Sequence, residues 1–305
     1  MRASQVSIST EVAGLALPGV VMTASGTSGH SDELAAYGRL KDLGAVVVKS
    51  LSPDAWEGNP PPRLRPLERG MLNSVGLQGP GISAWLRDDL PRLRASGALV
   101  VVSVWGKTVQ DYEDAGKMLA SADIDAIEIN ASCPNVEDHS RMFAHSATAT
   151  SEVVSAVGDS HPRWVKLSPN IADVPAIARA AQHAGADAVT LINTVMGMAI
   201  DIEDRQVALG GRGGGVSGPE IHAVAVRAVY ECRRENPELP IIGVGGVSRG
   251  DDALELLMAG ASAVQVGTAS LAEPRAPWRV QEEIRSWMAK HGVSNIQEII
   301  GAAHE

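Results

Sequence analysis

Asn130-Ala131-Ser132-Cys133-Pro134-Asn135 sets two amide side chains around a single thiol, directly after the strand-like run Ala126-Ile127-Glu128-Ile129. Amides donate and accept hydrogen bonds, a thiol takes up or releases a proton, and Pro134 stiffens the turn that carries them. Such a point can hold a polar ring and move a proton on it. Taken alone, the hexapeptide is explained equally well by a strand-to-loop turn in which Asn caps backbone and Cys fills core.

Two lysines tip the balance. Lys49 follows Val46-Val47-Val48 and Lys166 lies within Trp164-Val165-Lys166-Leu167. A charge inside an apolar strand is costly unless it meets an anionic or electron-rich partner. Either lysine alone could belong to a structural salt bridge. Both together, beside Asn130, Asn135 and Asn193-Thr194, point to a ligand. Ser50 and Ser103 add hydroxyls near the ends of their strands. A second signal is the pair of glycine loops Gly245-Gly246 and Gly267-Thr268, each directly after an apolar run. Glycine there lets backbone N–H groups approach a phosphate, and the loops after strands seven and eight are the usual phosphate site of a barrel.

The elements that must position these residues alternate. Eight short apolar runs recur, at 20–24, 45–49, 99–104, 126–129, 164–167, 188–192, 241–244 and 263–266, and amphipathic stretches such as 109–120, 174–184, 220–234 and 251–259 lie between them. With no linker to divide the chain, the pattern predicts an α/β fold, a (β/α)₈ TIM barrel over residues 1–305, rather than a doubly wound sheet. Two insertions, 52–81 and 196–218, follow strand C-termini. They are expected to cover the C-terminal face, where barrel sites lie.

Composition narrows the class. Lys+Arg 26 against Asp+Glu 36 gives a net charge of −10, and aromatic residues make up only 3%. An acidic surface and few stacking rings argue against a nucleic-acid partner. Cys133 and Cys232 stand far apart with no CxxC, which predicts neither a zinc site nor an iron–sulfur cluster on this chain, and suits a reduced cytoplasmic setting. The N-terminal residues carry no apolar signal region, and no run is long enough to span a bilayer.

Taken together, Ala24-Ser25-Gly26-Thr27, Val48-Lys49-Ser50, Glu57-Gly58-Asn59-Pro60-Pro61-Pro62-Arg63, Met71 to Gln78, Asn130 to Asn135, Lys166 to Asn170, Leu191-Ile192-Asn193-Thr194 and the two glycine loops resemble the class 1 dihydroorotate dehydrogenases. The likeness runs in order from about residue 20 to about residue 272. It implies an FMN-containing barrel that oxidises dihydroorotate to orotate in pyrimidine synthesis. Cysteine at 133 is similar to class 1, since the membrane-associated class 2 enzymes carry serine there. The Pro-Pro-Pro-Arg and Gly-Leu-Gln stretches resemble subclass 1B, whose catalytic chains, dimerised in relatives, pair with an FAD and iron–sulfur subunit that reduces NAD⁺. The acceptor itself, NAD⁺ through a partner or fumarate, is left open.

The resemblance also implies roles. Cys133 would be the base that takes the C5 proton. Asn73, Asn130, Asn135, Asn193 and Thr194 would hold the substrate ring, with Lys49 and the backbone at Gly76-Leu77 on its carboxylate. Ala24, Ser25, Gly26, Lys49, Ser50, Asn130, Ile192, Gly218, Gly245, Gly246, Gly267 and Thr268 would contact FMN, with Lys166 beside the flavin N1/O2 edge, where negative charge develops on reduction. No metal is expected. Ser103 and Ser28 depart from residues common among relatives, an asparagine and an aromatic. The loop Val136–Ala147 is expected to form a lid over Cys133, while His139 and His145 are read as solvent-facing or packing residues and Cys232 as core. Two rivals share these features: a dihydropyrimidine dehydrogenase-type flavoprotein, which has histidine where this chain has Asn135, and a non-catalytic flavin-binding subunit, which would lack the base.

Overall fold

The β-branched runs pair edge to edge in sequence order. In the structure, a computed structural model that describes residues 2–132, 134–135 and 141–304, the barrel strands are β1 (Val21–Thr23), β2 (Val46–Val47), β3 (Val100–Val104), β4 (Ala126–Asn130), β5 (Arg163–Leu167), β6 (Ala188–Leu191), β7 (Ile241–Val244) and β8 (Ala263–Val266). Their order in the sheet is β1-β8-β7-β6-β5-β4-β3-β2, with every pair parallel. Chain neighbours are thus neighbours in space, as a (β/α)₈ barrel requires.

The ring closes between β1 and β2 without a regular ladder. Gly44 N–H donates to Val21 O at 2.7 Å and Thr23 N–H to Ala45 O at 3.2 Å. The Thr23 hydroxyl supplies the next step: it accepts from Val47 N–H at 2.8 Å and donates to Val47 O at 3.3 Å. Ser28 Oγ donates to the same carbonyl at 3.0 Å. Ser28 therefore belongs to the closure and does not line the cavity described below.

Lys49 and Ser50 were expected to end the second strand, but β2 stops at Val47. The chain nevertheless stays against β3: Val48 N–H donates to Val101 O at 3.0 Å, and Leu51 bridges Val104. Between these contacts Lys49 N–H turns to Gly29 O at 2.9 Å. That turn interrupts the ladder while leaving both residues at the barrel mouth.

Helices α1 (Ile82–Asp88), α2 (Leu90–Ala95), α3 (Val109–Leu119), α4 (Ala147–Val157), α5 (Val174–His183), α6 (His222–Glu235), α7 (Gly250–Met258), α8 (Ala269–Ala272) and α9 (Ala276–His291) surround the strands. Their starts follow local chemistry. Thr108 and Asp111 form a capping box on α3, and Asp173 caps α5 ahead of Pro175. The helix expected from residue 220 begins instead with a 3₁₀ turn, Pro219–Ile221, before α6. Cys232 on α6 is buried, and burial, helped by Glu235, pushes its thiol up to about 12. It packs, as its place in the helix suggested.

Two apolar layers hold the assembly together. Outward-facing strand residues such as Val100, Ile127, Val165, Val189 and Val264 pack under the helices. Inward-facing Met22, Val47, Val101, Ala126, Trp164, Ala188, Ile242 and Ala263 fill the barrel. A hairpin of Thr10–Val12 with Leu15–Leu17, turned at Ala13-Gly14, adds Val12 and Leu17 to this inner layer and plugs the N-terminal end. No strand was expected before residue 20. Both insertions cover the other end by pairing with each other: Val195–Gly197, Gly214–Ser217, Met71–Asn73 and Leu64–Pro66 form one antiparallel sheet.

Thr23→Val keeps the shape at the closure but leaves the buried Val47 N–H without an acceptor. The expected cost is about 1–3 kcal/mol, read as a lowered urea midpoint with unchanged slope. An unaltered midpoint would mean that Thr23 does not close the ring.

Candidate active site

The barrel interior changes from apolar to polar towards its C-terminal mouth. Side chains two residues apart on a strand share a face. Above the apolar inner layer come Ser103, Glu128, Lys166, Thr190 and Gln265, all buried. Glu128 is 0% exposed, and its Oε2 accepts from Gln265 Nε2 at 2.9 Å and from Thr190 Oγ1 at 3.2 Å. Its Oε1 takes no hydrogen bond and lies 3.9 Å from Lys166 Nζ. That separation is an ion pair without a direct hydrogen bond. Glu128 is thus the anionic partner that Lys166 needed, and sequence reasoning missed it although it sits in the quoted strand. The available signal was parity: a carboxylate on the same strand face as Asn130, on the strand that pairs with β5 in the register Lys166↔Asn130.

Above this layer opens a cavity of about 690 Å³. It brings together Lys49, Asn73, Gly76, Leu77, Asn130, Asn193 and Thr194, the expected substrate contacts among the residues whose side chains are described. The expected cofactor contacts Ala24, Ser25, Gly26, Ser50, Lys166, Ile192, Gly218, Gly245, Gly246, Gly267 and Thr268 line the same space. Ser50 Oγ is the hub of one wall, at 3.1 Å from Ser25 Oγ, 2.9 Å from Ser103 Oγ and 3.3 Å from the donating Asn130 Nδ2. Ser103 therefore reaches the site only through Ser50. Asn130 Oδ1 accepts from Asn193 Nδ2 at 3.2 Å and from Ser132 N–H at 3.2 Å, and Asn193 Oδ1 accepts from Thr194 N–H at 2.8 Å. Asn73 Nδ2 donates to Gly215 O at 3.1 Å, tying one insertion to the other. Each amide is locked by one to three protein bonds and keeps the rest of its donors and acceptors for a ligand.

The cavity also offers unpaired backbone donors. Among the described residues, no acceptor takes the N–H groups of Gly246, Val247, Gly267 or Thr268, or those of Gly76 and Leu77, all of which line it. Gly76 and Leu77 both adopt left-handed backbone, at φ of +73° and +61°. A Cβ on Gly76 would lie 2.4 Å from Asn59 N, so glycine is required there. Lys49 has no ion-pair partner among the described residues. Burial first, then Arg63, hold its amine below the usual lysine range. Arg63 itself braces the insertion, donating to Asn59 O, Gln78 Oε1 and Glu57 O.

Cys133, the expected base, lies outside the described residues, as does His139. Asn135 falls in the short strand Pro134–Asn135, which pairs with Arg141–Met142. Of the expected lid, residues 136–140 are outside the described residues, whereas Phe143 and Ala144 are anchored. Phe143 is buried edge-on against Tyr112 with ring centroids 5.4 Å apart, and Ala144 N–H donates to Ala131 O at 2.8 Å. Those residues brace the strand end, with Tyr112 OH donating to Asn130 O at 2.8 Å; Cys133, which the lid was expected to cover, lies outside the described residues. His145 packs partly buried.

The site is therefore a cavity lined by two lysines, three locked amides and unpaired N–H donors from the Gly76-Leu77 turn and the two glycine loops. The family model described as dihydroorotate dehydrogenase matches residues 7–288. The chain is 45% identical to the dihydroorotate dehydrogenase B (NAD(+)), catalytic subunit, of Alkaliphilus oremlandii, over 97% of this chain and 98% of that protein. Identity to the proteins of the same description from Desulforudis audaxviator and Geobacter sulfurreducens is 45% and 42%, over 98% and 97% of this chain and equal shares of theirs. By sequence match across nearly its whole length, and by the barrel that carries the match, the chain belongs to the dihydroorotate dehydrogenase family.

Proposed function

We propose that this chain, as one catalytic barrel over residues 1–305, oxidises dihydroorotate to orotate with FMN as its flavin. The observation that carries the reading is the pairing of unpaired donors with one buried and one half-buried lysine in one cavity. The N–H groups at Gly246, Val247, Gly267 and Thr268 suit a phosphate. Lys49 with the N–H groups of Gly76 and Leu77 suits a carboxylate. Lys166, compensated from below by Glu128, suits the flavin edge that gains negative charge. The glycine cradle and the donor set therefore fit FMN.

The chain's own residues have distinct tasks in this reading. Asn73, Asn130 and Asn193, joined by Asn135 and Thr194, hold the ring amides and fix its face. Lys49 and the Gly76-Leu77 backbone hold the carboxylate. Cys133 accepts the C5 proton as the C5=C6 double bond forms. When bound, FMN supplies the acceptor for the hydride that leaves C6. Ala24, Ser25, Gly26, Ser50, Ile192 and Gly218 pack around the flavin. A thiol ordinarily titrates near 8.5, so a base of this type gains activity as pH rises.

Two cysteines cannot supply four thiolates for an iron–sulfur cluster. Electrons leaving for NAD⁺ would need a second subunit carrying FAD and a cluster, with the catalytic chains as a homodimer. The relatives' description as a catalytic subunit supports such a partner. Among the described residues, no helix is long and apolar enough to cross a membrane.

Replacing Cys133 by Ala should leave the protein yellow and slow flavin reduction by dihydroorotate about 10²–10⁴-fold in anaerobic stopped flow. A wild-type rate would remove the proposed base. Lys49 binds a carboxylate only as the ammonium, and its titration is shifted downward. KM for dihydroorotate should therefore rise on the alkaline side before an ordinary lysine titrates, and Lys49→Arg should abolish that rise. A KM independent of pH over this range in the wild type would contradict the assignment. The isolated chain should turn over dihydroorotate with artificial dyes but form little NADH until the electron-transfer subunit is added. Rapid NADH formation by the chain alone would sink the two-subunit reading.

A further inference from the structure

The histidine that opens α6 lies behind the glycine loop that follows β7. His222 Nδ1 is 2.8 Å from Gly245 O, and Nε2 is 3.0 Å from Glu255 Oε2 on α7. A carbonyl oxygen only accepts, so Nδ1 carries a proton and donates it. In a trans peptide the C=O and the N–H point in opposite directions. A carbonyl held towards His222 therefore sends the Gly246 N–H to the opposite side. Both glycines line the cavity, His222 does not, and that N–H has no protein acceptor among the described residues.

The loop needs such a constraint. Gly245 and Gly246 sit at φ of +134° and +72°, where glycine is permitted but not fixed. A Cβ on Gly246 would come within 2.7 Å of His222 Cβ and 2.9 Å of its Cα, so the loop packs directly on the residue that opens α6. The far end of the loop is tied separately. Asp252 Oδ2 accepts from Ser248 N–H and Oγ and from Arg249 N–H, all within 2.9 Å. Among the described residues, only the His222 bond reaches the Gly245–Gly246 peptide itself. Glu255 holds the opposite edge of the ring and sets its plane.

We infer that His222 is a positioning residue for an anionic phosphate subsite: through its Nδ1–H bond to Gly245 O it aims the Gly246 N–H at the phosphate of FMN. The inference rests on the FMN reading above, and it adds a residue that touches neither flavin nor substrate.

Amide isosteres separate the ring's two edges. Asn carries its Nδ2 close to the position of the imidazole Nδ1, while Gln carries its amide nitrogen towards that of Nε2. The full chain is stripped of flavin, and Kd is measured for FMN and for riboflavin, which lacks the phosphate. His222→Gln should weaken FMN binding about tenfold, equivalent to about 1.4 kcal/mol, and leave riboflavin binding unchanged. His222→Asn should stay within about twofold of wild type for both. Unchanged FMN affinity in His222→Gln, an equal loss for riboflavin, or a loss in His222→Asn matching that in His222→Gln would each overturn the assignment. A wild-type chain that binds riboflavin as tightly as FMN would instead refute the phosphate subsite itself, and the inference with it.

Discussion

A lysine can stand in the interior of this barrel because a carboxylate lies beneath it. Glu128 is fully enclosed, fixed by Gln265 and Thr190, and leaves one oxygen facing Lys166. Burying either charge alone would be strongly unfavourable, and the pair is tolerated because its lone pairs are partly satisfied. This layer has a structural consequence. It divides the apolar lower barrel, plugged by the N-terminal hairpin, from the cavity above, and it delivers a positive charge to the cavity floor.

Electrostatics then run against the protein's overall character. The chain carries a net charge of −10, yet its cavity presents Lys166 below and a half-buried Lys49 at the side. Lys49 has no carboxylate partner among the described residues, and Arg63 adds to its difficulty. An anion arriving in the cavity relieves both problems at once. The insertion sheet creates that situation: Asn73 and the Gly76-Leu77 turn reach the cavity only because Met71–Asn73 pairs with Gly214–Ser217.

Much of this was legible in the residues, for physical reasons. Parallel strands buried on both faces read as continuous apolar runs, so all eight were located to within a few residues. Glycine after a strand, lysine inside one and asparagine at its end each conflict with simple core packing, and those conflicts marked the cavity. Other features were invisible because they depend on register or on side-chain direction. Glu128 looked like one more strand residue until its parity placed it under Lys166. The hairpin at 10–17 is built of strands only three residues long, too short to announce itself. His222 hydrogen-bonds a backbone carbonyl and an exposed carboxylate, and no local pattern marks such bonds. Met142 to His145 read as loop, but Phe143 is committed to Tyr112.

In the proposed reading the cavity selects a ring bearing a carboxylate and draws a hydride from it to bound flavin. The deciding measurement is anaerobic titration of the purified yellow protein with dihydroorotate, and in parallel with dihydrouracil, which lacks the carboxylate. Dihydroorotate should bleach the flavin absorbance, and dihydrouracil at equal concentration should leave it intact. Bleaching by dihydrouracil as readily as by dihydroorotate, or no bleaching by dihydroorotate at all, would contradict that reading.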